Sequence, residues 1–237
     1  MLTVGNACAA RRHSGGPTMK LTSFIIAAYR RSIAAWRSGG PSMKLTNLET
    51  IARALNSAGV PFLVVGGVAV VAHGYGRQTP DLDLVIPLDA PSVTAAFAVL
   101  ARLGYRNDPP ATKVSRTREL AEWNWRSIDE FCSHRPIPLT ADQLADPQPR
   151  ARWIGAQRAA VLAFHSKRYP ETPIDIFATE HFDFATEHHA AKVVEIAPSV
   201  PLRIVRLEAL LRMKADAGRP QDLADIAELR QLHGDLP

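Results

Sequence analysis

Residues 45–59 show the spacing of apolar positions that is typical of an amphipathic helix. Thr46-x-x-Glu49 matches a capping box, so the helix is predicted to begin near Asn47. Gly59 is predicted to end it. The apolar face of this helix consists of Ile51, Leu55 and Ala58.

Short segments of strand and helix character alternate after this first helix. The apolar run 62–65 predicts a buried strand that ends at Gly66 and Gly67. The small residues of 68–73 predict a short helix. A second strand is predicted over 81–86, after a turn rich in glycine.

The second strand contains two aspartates that are predicted to share one face. Side chains alternate between the faces of a strand, so Asp81 and Asp83 point the same way. Two adjacent carboxylates repel each other unless a cation lies between them, and oxygen ligands suit magnesium or manganese. The preceding glycine pair allows close approach of backbone N–H groups to an anion. A phosphate site beside metal-binding carboxylates favours nucleotide transfer.

Further helices and a hairpin are predicted beyond this strand. Asp89 is placed to start a helix, and Thr140-x-x-Gln143 is placed to start a short one. Strand-like runs over 159–164 and 172–178 are close enough in sequence to form a hairpin.

Asp175 lies between Ile174 and Ile176 in the second strand of that hairpin. A carboxylate within an otherwise apolar strand requires a partner or a metal. The alternative is an aspartate on the solvent face of an edge strand.

Residues 202–237 predict a C-terminal element of two helices, interrupted around Arg219. Asp222 and Asp225 are three residues apart and therefore share a helix face. They can hold Lys214 or Arg219 in place. Lys214 can then balance the charge of a triphosphate, although solvated charges and a simple helix cap are alternatives.

The bulk composition agrees with one large domain. The chain has 237 residues, 46% of them hydrophobic, and a net charge of +5, which favours polyanionic substrates such as nucleotides or RNA. Cys8 and Cys132 form no metal-ligand or disulfide pattern, so a reducing cytoplasm is expected. Within this sequence no apolar run reaches the length of a membrane span.

Residues 1–42 contain a repeat that does not resemble part of a fold. The segment 14–22 recurs almost unchanged as 38–46, and each copy ends in Met-Lys-Leu-Thr. Gly-Gly codons ahead of a methionine can encode a ribosome-binding site. We therefore expect Met43 to be the natural start and residues 1–42 to be a leader; a disordered basic arm and a targeting peptide are the alternatives.

The motifs around the aspartate pair resemble those of a known superfamily. Gly66-Gly67, Arg77-x-Thr79-x-Asp81 and Asp81-x-Asp83 are similar to the signature of the DNA-polymerase-beta-like nucleotidyltransferases, in particular the AbiEii-type, toxin-like bacterial branch. The pattern from Lys214 to Asp225 resembles the C-terminal element of that branch.

This resemblance implies an α+β fold with a mixed sheet and helices. Residues 43–201 would form the nucleotidyltransferase domain, 107–139 an insertion in it, and 202–237 the C-terminal helical element. Asp81, Asp83 and Asp175 would be catalytic and bind two Mg²⁺ ions, or Mn²⁺ in their place. The implied nucleotide-binding residues are Gly66, Gly67, Arg77, Thr79 and Lys214, supported by Arg219, Asp222 and Asp225.

The implied reaction moves a nucleoside monophosphate from a nucleoside triphosphate, such as ATP, to an acceptor hydroxyl. An RNA or tRNA end and a protein hydroxyl are the expected acceptors, in a toxin–antitoxin-like system in which a cognate antitoxin would be a partner. Alternatives are an aminoglycoside-type antibiotic as acceptor and a non-catalytic nucleotide-binding module.

Two further groups of residues invite interpretation. The predicted insertion carries aromatic and basic side chains that can stack on a base, although packing of the aromatic residues on the sheet is favoured. These side chains are Arg116, Arg118, Trp123, Trp125 and Arg126.

Three histidines, His181, His188 and His189, suggest a zinc site. Because they have no cysteine partners, a surface position is favoured for them.

Overall fold

A seven-stranded mixed sheet forms the centre of the computed structural model, which describes residues 43–107, 138–157 and 160–234. Elements are numbered over these residues. The strands are β1 Leu63–Val64, β2 Leu82–Val85, β3 Tyr105–Arg106, β4 Val161–Ser166, β5 Ile174–Phe177, β6 Lys192–Ala197 and β7 Val200–Ile204. The helices are α1 Leu45–Ser57, α2 Gly66–Ala72, α3 Ala90–Arg102, α4 Ala141–Ala145, α5 Pro147–Gln157, α6 Phe184–Ala190, α7 Leu207–Ala217 and α8 Pro220–His233.

The strands lie in the order β3-β4-β5-β2-β1-β7-β6. The pairs β2–β5 and β1–β7 are parallel, and the other neighbours are antiparallel. The predicted mixed sheet with helices and the predicted β4–β5 hairpin are therefore confirmed. Helices α7 and α8 pack together after the last strand, as expected of the C-terminal element.

One face of the sheet packs into the core under helix α3. Leu82 and Ile174 are register partners on this face, and both are almost completely buried. Phe164 of β4 is the register partner of Ile174 and contacts Phe97 of α3 edge to face, with 5.1 Å between the ring centres. Asp81 and Asp83 point to the opposite face, because side chains alternate along β2.

The predicted start of the first helix was wrong by two residues. Helix α1 begins at Leu45, and the backbone carbonyl of Lys44 accepts hydrogen bonds from the N–H groups of Asn47 and Leu48. Thr46 lies inside the first turn and cannot cap it. Glu49 instead pairs with Arg53 on the helix surface, 2.8 Å away.

Two other predicted boundaries also differ from the structure. Helix α2 begins at Gly66 rather than at residue 68. Residues 202–204 belong to strand β7, not to a helix, because Val200, Leu202 and Ile204 alternate into the core. The predicted domain boundary after residue 201 therefore falls inside this strand.

Several local predictions are confirmed by hydrogen bonds. The Asp89 carboxylate accepts a hydrogen bond from the Ser92 N–H at the start of α3. Thr140 and Gln143 form the predicted capping box of α4.

Two predictions lie outside the described residues. One is the leader over residues 1–42, and the other is most of the 107–139 insertion, with its five candidates for stacking on a base. Within the described residues, no helix is long and apolar enough to cross a membrane.

Candidate metal centre

Three aspartates converge on one face of the sheet. Asp83 in β2 and Asp175 in β5 are register partners on adjacent parallel strands, and Asp81 lies just before β2. One carboxylate oxygen from each residue lies within 4.8 Å of the other two. All three side chains are partly buried. Sheet register thus joins residues that are far apart in sequence.

Burial and neighbouring negative charge raise the proton affinity of Asp83 and Asp175. Burial, together with the charges of Asp81 and Asp175, raises the pKa of Asp83 to about 7, against the opposing effects of the Gly67 N–H group and Lys214. Burial and the charge of Asp81 raise the pKa of Asp175 to about 6, against the opposing charge of Arg219. The ionised cluster is therefore electrostatically unfavourable by itself.

The chemistry of this donor set fits a hard divalent cation. Carboxylate oxygens are the ligands that magnesium and manganese prefer, and a positive ion removes the repulsion that raises the two pKa values. Among the described residues, Asp81, Asp83 and Asp175 are the one group of three acidic, histidine or cysteine side chains that converge in this way. The residues present therefore fit Mg²⁺.

The glycine pair fixes the position of Asp83. The Asp83 carboxylate accepts a hydrogen bond from the Gly67 N–H group. Gly66 has a left-handed backbone (φ 58°), and a Cβ atom there would lie 1.8 Å from Asp83 Oδ2. Only glycine leaves room for the carboxylate in this conformation. The sequence predicted the close approach of a ligand here; the structure shows the close approach of Asp83.

Thr79 and Arg77 contact the same turn. The Thr79 hydroxyl donates a hydrogen bond of 3.2 Å to Asp81 Oδ1, and a Cβ atom at Gly67 would lie 2.2 Å from Thr79 Oγ1. Arg77 donates two hydrogen bonds to the carboxylate of Asp225, at 2.7 and 2.9 Å. Thr79 and Arg77 thus hold other side chains of the site in position through hydrogen bonds. Their predicted contact with a nucleotide stays a prediction.

A buried ion-pair network lies beside the three aspartates. Lys214 is only 5% exposed, and its ammonium group lies 3.0 Å from Asp222 and 2.6 Å from Asp225. Burial by itself would raise the pKa of Asp225. Hydrogen bonds from Arg77, Lys214 and Gln221 outweigh this effect, so that pKa lies below its ordinary value.

Arg219 differs from Lys214 in its exposure. Its Nε atom donates a hydrogen bond of 2.6 Å to Asp222, but 76% of the side chain is exposed. Its positive charge lowers the pKa of Asp175, and the charges of Asp83 and Asp81 in turn raise the pKa of Arg219, after the larger effect of Asp222. Arg219 is therefore an accessible cation that faces the three aspartates.

The structure brings together most of the residues predicted for the site. Asp222 and Asp225 hold Lys214, and Asp222 also holds Arg219, in the arrangement that their helical spacing suggested. The sequence reasoning missed the Arg77–Asp225 pair, for which no local signal exists. The three histidines do not form a metal-binding group among the described residues; His181 instead contacts Thr179, and His188 stacks on Phe184.

Fold and site together define a mixed-sheet protein with helices and a three-aspartate cluster suited to a divalent cation. No protein-family model matches the sequence, and no match was found among the curated proteins.

Proposed function

We propose that this protein is a metal-dependent nucleotidyltransferase that moves a nucleoside monophosphate from a nucleoside triphosphate to an acceptor hydroxyl. The observation that carries the proposal is the pairing of Asp83 with Asp175 across two parallel strands, with Asp81 on the same face. Three carboxylates held this close favour a site that handles the charge of a metal–triphosphate complex.

Asp81, Asp83 and Asp175 would hold the Mg²⁺ ions. Bound there, magnesium would neutralise charge on the triphosphate and make the acceptor hydroxyl more acidic. The Gly67 N–H group and the Thr79 hydroxyl orient two of these carboxylates through hydrogen bonds, so the chain preorganises the ligands.

Asp175 is placed to act as the general base. Burial is the largest cause of its raised pKa and persists when a metal is bound, so this carboxylate accepts a proton more readily than an ordinary aspartate. The acceptor oxygen would form a bond to the α-phosphorus while the bond to the pyrophosphate leaving group breaks. The hydroxyl proton would pass to Asp175, and pyrophosphate would leave with the electron pair of the broken bond.

Arg219 is the cation best placed to contact the phosphates. It is exposed, its guanidinium is fixed by Asp222, and its charge acts on all three aspartates. Lys214 and Arg77 are held by buried carboxylates and contribute a fixed positive potential behind the site. Asp222 and Asp225 would then keep the cations in place.

A labelling experiment tests the proposal. The purified full chain would be incubated with Mg²⁺ and each of the four α-³²P-labelled ribonucleoside triphosphates, in parallel with total RNA, a protein extract or an aminoglycoside mixture. We expect label in one acceptor class and stoichiometric release of pyrophosphate. The fraction that becomes labelled also identifies the acceptor.

The matched variants are Asp83→Asn and Glu180→Gln. Each removes one negative charge, but Glu180 lies exposed outside the cluster. We expect loss of at least a hundredfold in transfer for Asp83→Asn, about 2.7 kcal/mol of activation free energy, and no loss for Glu180→Gln. Triphosphate binding without transfer to any acceptor would instead favour the non-catalytic nucleotide-binding module.

A further inference from the structure

An aromatic ring lies on the aspartate face of the sheet, close to the candidate metal centre. Phe177 is two residues beyond Asp175 in β5. Side chains alternate along a strand, so Phe177 shares the face of Asp175, whereas Ile174 and Ile176 are buried on the other face. Two residues of strand separate the Cα atoms of Asp175 and Phe177 by roughly 7 Å.

The surface beside this ring is accessible. Val161 and Ala163 in β4 are the register partners of Phe177 and Asp175, respectively. Ala163 is exposed, and Val161 and Phe177 are partly exposed. The small apolar side chains next to the ring therefore leave room for a planar group on this face.

His181 stands at right angles to the Phe177 ring. The two ring centres lie 5.1 Å apart, and the ring planes meet at 81°. The Thr179 hydroxyl oxygen lies 2.9 Å from His181 Nε2, which fixes the imidazole, and His181 remains exposed. We call Phe177 and His181 the aromatic corner. Such a pair of rings can hold a planar ring by stacking and by edge-to-face contact.

The aromatic corner lies near the end of α7. Partial burial lowers the pKa of His181, and the charge of Asp216 opposes this effect, so Asp216 is close to the imidazole. Arg219 follows Asp216 by three residues, and its charge acts on Asp175. The aromatic corner, Arg219 and the three aspartates are therefore neighbours on one face of the sheet.

We propose that the aromatic corner binds the nucleobase of the triphosphate substrate. This inference rests on the proposed function and adds a base-binding site to it. The nucleoside is bonded to the α-phosphate, so its base must lie close to the metal ions that hold this phosphate. Every base has a π face that can stack on an aromatic ring, so the corner supplies affinity for a base more than a choice among bases.

The test compares ligands with and without a base. Isothermal titration calorimetry of the full chain with Mg²⁺ would measure the affinity for the α,β-methylene analogue of each ribonucleoside triphosphate and for tripolyphosphate, which has no base. The analogues cannot release pyrophosphate, so no acceptor is needed. The variant carries Phe177→Leu and His181→Ala. We expect its affinity for the tightest analogue to fall by about tenfold or more, as for loss of one stacked base, and its affinity for tripolyphosphate to stay within about twofold.

A control variant carries Phe184→Leu and His188→Ala. These two residues also form a stacked pair, with ring centres 5.2 Å apart, and both are partly exposed. The His188 carbonyl accepts a hydrogen bond from Arg203 in β7, and β7 lies three strands from β5, roughly 14 Å away. We expect this variant to bind both ligands like the wild type. If Phe177→Leu does not fold, His181→Ala alone must still weaken binding of the analogue, by about threefold.

The outcomes separate this inference from the proposed function. Equal losses in the two double variants, or wild-type binding of the analogues no tighter than that of tripolyphosphate, would overturn the aromatic corner. A corner variant that keeps full affinity for the analogue but shows a raised KM for the acceptor would also overturn it. Nucleotide binding that depends on the corner, without transfer to any acceptor, would support the corner and count against the transferase.

Discussion

Gly66 and Asp83 are so close that a Cβ atom on residue 66 would lie 1.8 Å from the Asp83 Oδ2 atom. The first prediction follows from this contact. Gly66→Ala must displace the carboxylate and also strain a backbone with φ 58°. We expect Mg²⁺-dependent activity to fall at least a hundredfold, measured as pyrophosphate release.

Gly59→Ala is the matched control for this substitution. Gly59 has a similar φ of 66°, but a Cβ atom there would meet nothing within 4 Å. It should cost about 1–2 kcal/mol of stability from backbone strain and leave activity unchanged. Equal losses of activity in the two variants would show that strain, not contact with Asp83, is responsible.

The second prediction concerns Asp83 and pH. The pKa of Asp83 is raised from 3.8 to about 7, so the folded chain holds a proton that the unfolded chain releases. Stability is therefore lost as pH rises from about 4 through 7. Asp83→Asn should be more stable than the wild type at pH 8 in EDTA, as measured by urea denaturation.

Mg²⁺ should reduce that difference in stability at pH 8. The wild type should gain about 2.7 kcal/mol when Mg²⁺ is present at a hundredfold excess over its Kd, and Asp83→Asn should gain much less. Glu180→Gln should respond to Mg²⁺ like the wild type. A wild type whose stability does not change with Mg²⁺ would contradict the metal assignment.

The third prediction separates catalysis from binding at Asp175. Asp175→Ala should leave Mg²⁺-dependent triphosphate binding within roughly tenfold and reduce transfer on the order of a thousandfold. Such a split is expected of a group that acts mainly in the transition state. Titration of labelled triphosphate beside the transfer assay measures both. Parallel loss of binding and rate would instead show that Asp175 holds the metal ion on which triphosphate binding itself depends.

The fourth prediction concerns Asp225, which is 0% exposed and pairs with both Arg77 and Lys214. Asp225→Asn leaves the buried Lys214 ammonium with one carboxylate fewer, so we expect a loss of about 3–5 kcal/mol in the free energy of unfolding. Glu228→Gln removes an exposed charge from the same helix and should stay within about 0.5 kcal/mol. Chemical denaturation of both variants measures the difference.

The fifth prediction uses a buried histidine outside the cluster. His73 Nε2 donates a 2.8 Å hydrogen bond to the Val205 carbonyl. Burial lowers the pKa of His73 and outweighs this bond; Lys192 and His233 lower it further, and Glu208 opposes them. Because the folded pKa is lowered, His73 contributes stability above about pH 6.5 that is lost as pH falls below it.

His73→Gln can still donate to the carbonyl but cannot titrate. Denaturation at pH 7.5 and pH 5.5 should therefore show a smaller stability loss for His73→Gln than for the wild type. His189→Gln, at an exposed position, should lose as much stability as the wild type. Identical losses in all three proteins would show that His73 is not responsible for the acid sensitivity.

Local rules predicted much of this structure because they depend only on neighbouring residues. Side chains along a strand alternate between its two faces, and this rule correctly placed Asp81 and Asp83 on one face. The predicted capping box at Thr140 was also confirmed. The same reasoning failed at Thr46, where a matching pattern lies inside a helix. It also missed β6, whose pairing with β7 shapes the edge of the sheet. A capping pattern or a short apolar run is ambiguous until tertiary contacts choose between its alternatives.

The sequence by itself determined which residues are candidates for the site: the aspartate pair, the glycines before it and the charged positions of the last two helices. Only the tertiary structure decided that Asp175 lies beside Asp83, that Gly66 makes room for that carboxylate, and that Asp225 binds Arg77, 148 residues earlier. The physical reason is that side-chain periodicity is a local property of the backbone. Strand register and buried ion pairs depend instead on how distant segments pack, which no local pattern encodes.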